Sequence, residues 1–277
     1  MEGAIGQPLP GGNTSSVMRV GETVHRSTGR WTESVHALLR YLDRADVDGV
    51  PRVVGFAPDG REVLTYVPGT VPNDEPWPDY VWSGQTLEDV GKWLRRYHDE
   101  VRDYRPSESS RWWYRDGTLR EGEIVCHNDL APYNAVFVDG RLTGVIDWDI
   151  AGPAHPLWDL AFCAWSWVPL HHLELTRALG GPGEESQATR LAALCAAYGH
   201  EDPAGLLQTV IERVAASSDG IRSGVHAGDP MMEALAQRGH LADIEATLEY
   251  LQVRTVELRR EIDGRWRGTA GVPAAPT

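Results

Sequence analysis

Two short runs in the middle of this chain carry residue types at spacings that suit phosphoryl transfer: His127-Asn128-Asp129-Leu130-Ala131-Pro132-Tyr133-Asn134, and then Ile146-Asp147-Trp148-Asp149. Moving a phosphoryl group asks little covalent chemistry of a protein. It asks for a carboxylate that orients and deprotonates the attacking hydroxyl, and for a bound cation that offsets charge on the transferring group. Asp129 suits the first task. Asn134 and Asp147 suit the second: magnesium takes a few hard oxygen ligands and leaves its other positions to water and phosphate, so one carboxylate and one amide carbonyl suffice.

These residues need an element that gathers them. Ala135 to Val138 and Arg141 to Ile146 are extended runs joined by Asp139-Gly140, a strong two-residue turn signal. With Val138 and Arg141 flanking the turn, Asn134 falls opposite Val145 and Asp147 lies two residues beyond, within roughly 7 Å by the strand rise. Asp129 sits on the loop that enters this hairpin.

Upstream, Ser16 to Val20 and Thr23 to Ser27 read as a hairpin across Gly21-Glu22, and Arg52 to Phe56 and Glu62 to Val67 as another across Pro58-Asp59-Gly60. Between them Thr32 is the expected N-cap of a helix whose Val35, Leu38, Leu39 and Leu42 form one apolar face. Pro68-Gly69 and the stretch from Pro72 to Pro78 are rich in helix breakers and suit a hinge and linker. Helices follow. Thr86 with Asp89 resembles a capping box, and Leu87, Val90, Leu94, Tyr97 and Val101 make a stripe.

The 277 residues are 42% hydrophobic, enough for a packed core in one large domain or two lobes. A net charge of −14 opposes a nucleic-acid backbone or an anionic membrane as partner and favours a cationic small molecule. Leu157 to Leu170 is too short to span a bilayer and contains Asp159, so it reads as a buried helix. Cys126, Cys163 and Cys195 are widely spaced and lack metal-site pairing, and the amino terminus lacks an export pattern; reduced thiols in the cytoplasm are the expectation.

The order of small sheet lobe, hinge, helical lobe, His-x-Asp-x-x-x-x-Asn and Ile-Asp-Trp-Asp resembles the aminoglycoside phosphotransferase and choline kinase-like family over nearly the whole chain. Within it, the chain is similar to an actinobacterial phosphotransferase-like subgroup, some members of which are labelled as related to trifolitoxin immunity. The resemblance implies an α+β, protein-kinase-like two-lobed fold: residues 1–70 as a small β-sheet lobe with one helix that binds nucleotide, and 71–277 as a larger, mainly helical lobe for catalysis and substrate. It implies ATP or GTP and Mg²⁺ as cofactors. Asp129 matches the family's catalytic aspartate, Asn134 its metal-binding asparagine and Asp147 its second metal ligand, with Asp149 supporting a second metal. His127 would hold the loop in shape, and Asp159 would hydrogen-bond that loop from below. Nucleotide would lie in the cleft between lobes, near Gly11, Gly12 and Asn13, whose glycines let backbone amides approach phosphates, with Thr65 to Val67 offering backbone to the adenine edge.

Two departures bear on that expectation. Arg26 stands where the family usually has a lysine, and a guanidinium binds as a fork rather than a point charge. The glutamate usually found on the following helix has no match, since Val35 and His36 occupy its region and Glu33 lies a turn earlier. For the acceptor, Trp165, Trp167, His171 and His172 and the carboxylates Asp229, Glu233, Asp243 and Glu245 are candidates, although tryptophans at i and i+2 cannot share a helix face. Three roles stay open: a kinase of a small cationic aminoglycoside-like compound or amino alcohol, a weakly catalytic immunity or binding protein, and a peptide serine or threonine kinase.

Overall fold

The computed structural model describes residues 6–9 and 17–269, with side chains through residue 264. Its first part is a five-stranded antiparallel sheet in the order β1-β2-β3-β5-β4. The strands are β1 (Gln7–Pro8), β2 (Met18–Val20), β3 (Thr23–Arg26), β4 (Val53–Phe56) and β5 (Glu62–Thr65), with α1 (Thr32–Arg44) crossing between β3 and β4. Both expected hairpins form, the first across Gly21-Glu22. The phosphate-loop candidates Gly11, Gly12 and Asn13 fall between β1 and β2, outside the described residues.

Helix α1 buries Val35, Leu38, Leu39 and Leu42 in one core with Leu64 of β5. Each such side chain contributes on the order of 1.5–3 kcal/mol of transfer free energy. Thr32 is the first helical residue rather than the cap. Trp31 occupies the cap position without a side-chain bond, and the Thr32 hydroxyl accepts from the Gly29 amide at 2.9 Å.

The second part is mostly helical. Helix α2 (Gly84–Glu100) precedes β6 (Ile124–Cys126), β7 (Ala135–Val138), β8 (Arg141–Val145) and β9 (Gly152–Ala154). Helices α3 (Pro156–Trp167), α4 (Leu173–Ala178), α5 (Glu184–Tyr198), α6 (Pro203–His226), α7 (Pro230–Gln237) and α8 (His240–Thr269) complete it. β6 pairs with β9, and β7 with β8. The cap of α2 is Ser83, whose hydroxyl accepts from the Thr86 amide at 3.0 Å. Asp89, expected to complete a capping box, instead grips Arg141 of β8 with two bonds of 2.8 and 2.9 Å. The predicted stripe from Leu87 to Val101 is buried throughout. Among the described residues no helix is long and apolar enough to cross a membrane.

Two backbone junctions fix the first part against the β7–β8 hairpin. The Val145 amide donates to the Gly49 carbonyl at 2.8 Å, and Thr70 exchanges bonds of 2.8 and 2.9 Å with Phe137. Gly49 has φ +75°, and a Cβ there would lie 2.2 Å from the Thr143 carbonyl oxygen, so only glycine allows this approach.

Candidate active site

The hairpin gathers the site in a register one residue tighter than its turn alone predicts. Val138 pairs with Arg141 and Phe137 with Leu142, but Val136 then pairs with Gly144 and Ala135 with Val145, leaving Thr143 as a bulge. Asn134 therefore lies opposite Ile146, whose amide donates to the Asn134 carbonyl at 2.9 Å, and not opposite Val145. The bulge lies where the Gly49 carbonyl enters the hairpin, and it brings Asp147 one position nearer to Asn134. Asp147 itself sits in the left-handed region at φ 61°.

Two side chains of the same loop donate to the Asp129 carboxylate. Tyr133 donates its hydroxyl at 2.9 Å, and Asn134 donates Nδ2 to Oδ2 at 2.8 Å and to the Asp129 carbonyl at 2.9 Å. Because both acceptors are oxygens, the amide nitrogen of Asn134 must face them, and those bonds leave its Oδ1 uncommitted. Burial, and then the charge of Asp147, push the Asp129 carboxyl up to about 7, against the opposing pull of Tyr133, Arg213 and Asn134. A carboxylate in that range is poised to exchange a proton near neutral pH.

The loop carrying Asp129 is held from below. Asp159, fully buried in α3, accepts the His127 and Asn128 amides at 2.9 Å each and the His98 Nε2 proton at 3.0 Å. Burial alone would raise the Asp159 pKa, but His98, His127 and these amide bonds outweigh it and hold it below the usual carboxylate value. His127 accepts the Asp129 amide at Nδ1 (3.2 Å), so its Nε2 carries the proton given to the Ile146 carbonyl at 3.2 Å. Burial lowers its pKa, consistent with a neutral ring. His127 thus ties the loop to the hairpin strand that carries Asp147.

Arg26, at the end of β3, reaches across to this cluster. Its Nε donates to Glu62 at 2.6 Å, Nη1 to Asp147 at 3.2 Å, and Nη2 pairs with Asp149. Glu62 is the residue directly opposite Arg26 in the β3–β5 register, and its second oxygen accepts from His36 Nε2 at 2.8 Å. Burial would lower the Arg26 pKa, but Asp147 and Glu62 outweigh it and keep the guanidinium charged. The carboxylate partner missing from α1 therefore sits on β5, braced by α1 through His36. The signal available in the sequence was a glutamate directly before the apolar pair Val63-Leu64 in an expected strand, and a histidine on the buried face of α1.

Two further residues escaped the sequence reading. His98 supports Asp159 and shares a 2.8 Å bond with the Tyr198 hydroxyl through Nδ1. Arg213 of α6 is buried, donates to the Asn128 carbonyl at 3.1 Å, and lies 4.9 Å from the Phe162 ring centroid. Each breaks a buried apolar stripe, His98 after Tyr97 and Arg213 between Val210 and Val214.

The proposed acceptor residues do not gather in the same way. Trp165 and Trp167 are both core, donating Nε1 to His171 Nδ1 (2.9 Å) and to the Leu130 carbonyl (2.8 Å). Burial drives His171 down to about 3, so it stays neutral. Asp229 caps α7, Asp243 pairs with His172 at 3.3 Å and Glu245 with Arg222 at 2.7 Å.

For a cation, Asp147, Asp149 and Asn134 Oδ1 make an all-oxygen donor set of the hard kind magnesium prefers. At the end of β5, the Thr65 amide donates to the Arg52 carbonyl at 2.9 Å, while the Arg52 amide returns to the Thr65 hydroxyl at 2.8 Å and bypasses its carbonyl. Val67 lies two residues on and packs over Gly144.

Comparison with known proteins bears on the family and the fold. Residues 114–208 match the phosphotransferase enzyme family. A trifolitoxin immunity protein from Rhizobium leguminosarum bv. trifolii is 33% identical over 196 residues, spanning 69% of this chain and 73% of the relative. Among solved structures, a choline/ethanolamine kinase family protein from Mesorhizobium loti superposes with a TM-score of 0.57 at 19% identity, covering 92% of each chain. The ternary complex of APH(2'')-IIa with streptomycin and ATP superposes with a TM-score of 0.54 at 15% identity, covering 78% of this chain and 84% of the other. The fold is thus the two-lobed, protein-kinase-like α+β architecture.

Proposed function

The chain belongs to the phosphotransferase enzyme family, and from that premise we propose that it moves the terminal phosphoryl group of ATP or GTP to a hydroxyl of a small cationic molecule, an aminoglycoside-like compound or an amino alcohol. The observation that carries this reading is the convergence of Asp129, Asn134, Asp147 and Asp149 on one end of a hairpin, facing Arg26. Asp129 takes the proton of the acceptor hydroxyl as its oxygen bonds to the terminal phosphorus, and the bond to the bridging oxygen breaks to release the nucleoside diphosphate. Asn134, Asp147 and Asp149 would hold Mg²⁺, which when bound offsets charge on the phosphate oxygens.

The remaining assignments follow the same cleft. Arg26 is the phosphate-facing cation, and the Thr65 carbonyl and Val67 amide are the backbone groups offered to the base edge. Gly11, Gly12 and Asn13 are assigned to the phosphate loop. His127 and Asp159 act as positioning residues for the Asp129 loop. The lobe boundary falls near residue 70, where Thr70 pairs with Phe137. The net charge of −14 supports a cationic acceptor.

The test is titration of the full chain with ATP and GTP in magnesium, followed by transfer to aminoglycosides, amino alcohols and neutral sugars. Wild type is expected to bind nucleotide and phosphorylate the cationic acceptors, and Asp129→Asn to bind nucleotide but transfer at least about a hundredfold more slowly. Absence of both binding and transfer refutes the reading. The immunity protein among its relatives favours a second reading, a binding protein that protects its cell without turnover. Protection by Asp129→Asn equal to wild type would support that one instead.

A further inference from the structure

The guanidinium of Arg26 is committed on every side. Nε meets Glu62, Nη1 meets Asp147 and Nη2 meets Asp149, and the side chain is only 11% exposed. These three carboxylates are not equivalent. Glu62 is buried and fixed through both oxygens, by Arg26 at 2.6 Å and by His36 at 2.8 Å. Asp147 is 42% exposed and Asp149 19% exposed, and both belong to the donor set assigned above to the metal. Arg26 is therefore anchored at one end in protein and offers its two terminal nitrogens to the site. A lysine could not do this, because it has one nitrogen and no separate anchoring position.

We propose that Arg26, anchored by Glu62, is a built-in placeholder cation that occupies the metal carboxylates Asp147 and Asp149 until nucleotide arrives. This rests on the reading of these aspartates as metal ligands. Phosphate oxygens and carboxylate oxygens accept from a guanidinium in the same forked geometry. When the phosphates enter, Nη1 and Nη2 turn to them while Nε stays on Glu62, and the two aspartates are released to the metal. No hydrogen bond of the guanidinium is lost in the exchange. Without nucleotide, a divalent cation must displace Arg26 and leave its Nη groups without their partners, which weakens metal binding. Metal and nucleotide are thereby coupled, each binding better in the presence of the other.

The test uses Mn²⁺ alone, with no nucleotide, and follows the loss of the free-ion electron paramagnetic resonance signal on titration with the full chain. Arg26→Gln is expected to bind Mn²⁺ at least about tenfold more tightly than wild type, a difference of about 1.4 kcal/mol. Arg26→Lys, which keeps charge but loses the fork, is expected to fall between them and serves if Arg26→Gln does not fold. Equal affinity in all three proteins, or weaker binding in the variants, overturns the placeholder role. Adding Asp147→Asn to Arg26→Gln separates the two readings. Loss of the gained affinity supports the placeholder, whereas undiminished Mn²⁺ binding overturns the metal assignment itself and the placeholder with it.

Discussion

Asp129→Asn should make the metal-free protein more stable at alkaline pH while removing its proposed base. In the folded chain the Asp129 carboxyl is pushed up to about 7 from its ordinary 3.8, burial being the first cause and the Asp147 charge the second. The sign follows from proton uptake. Between those two values the folded chain keeps a proton that the unfolded chain has released, so stability falls as pH rises through this window and is level above it. At 1.36 kcal/mol per pH unit the full penalty is about 4 kcal/mol, and residual solvent contact of the half-buried side chain reduces it to about 2 kcal/mol. Asparagine avoids the penalty and keeps the local bonds: its Oδ1 can take the Asn134 amide, and its Nδ2 can donate to the Tyr133 hydroxyl oxygen. Urea unfolding of both proteins with a chelator at pH 5 and pH 8 isolates the term, since every other titrating group is shared. About a third of the window lies below pH 5, so the variant should gain about 1 kcal/mol on wild type between these pH values. Parallel profiles, within about 0.5 kcal/mol, would refute the burial argument.

Other expectations are open to simple measurements. Asp159→Ala should cost about 3–5 kcal/mol by stranding His98 and two loop amides. Because the folded pKa of Asp159 is depressed, its contribution is present above pH 3.8 and lost as pH falls below that value, so the wild-type acid limb should flatten in Asp159→Asn. Gly49→Ala places a Cβ 2.2 Å from the Thr143 oxygen at φ +75°, and calorimetry should record a loss of about 2 kcal/mol or more. Cys126, Cys163 and Cys195 are buried and free, and burial raises all three thiols, Cys195 to about 12. A thiol reagent should label none of them in the native protein and all three in denaturant; native labelling within minutes contradicts the packing.

What the sequence made legible was whatever local rules decide. Asp139-Gly140 specifies a hairpin by its own dihedrals, with Asp139 at φ 51° and Gly140 at φ 73°, and the stripes of α1 and α2 follow from helical periodicity. The Thr143 bulge was not legible, because it accompanies the carbonyl of Gly49, which comes from the distant connection between α1 and β4. The partners of the acceptor carboxylates were hidden for the same reason. Asp243 and Glu245 look free in the sequence, and their partners His172 and Arg222 lie on other elements.

Glu62 and His36 carry this further, because each alone reads as an error. A glutamate in an apolar strand and a histidine on an apolar helix face each cost free energy when buried unpaired. Brought together they satisfy one another, and the remaining oxygen of Glu62 becomes the anchor for Arg26. The helix glutamate that the family pattern leads one to expect is thus replaced by a strand glutamate, positioned by the β3–β5 register and by a helix that still contributes through His36. Charge in the cleft is conserved while its covalent origin moves. The absence of that glutamate from α1 is consequently no argument against phosphate binding, and the functional question shifts to the arginine, whose forked end is what a lysine in the same place would lack.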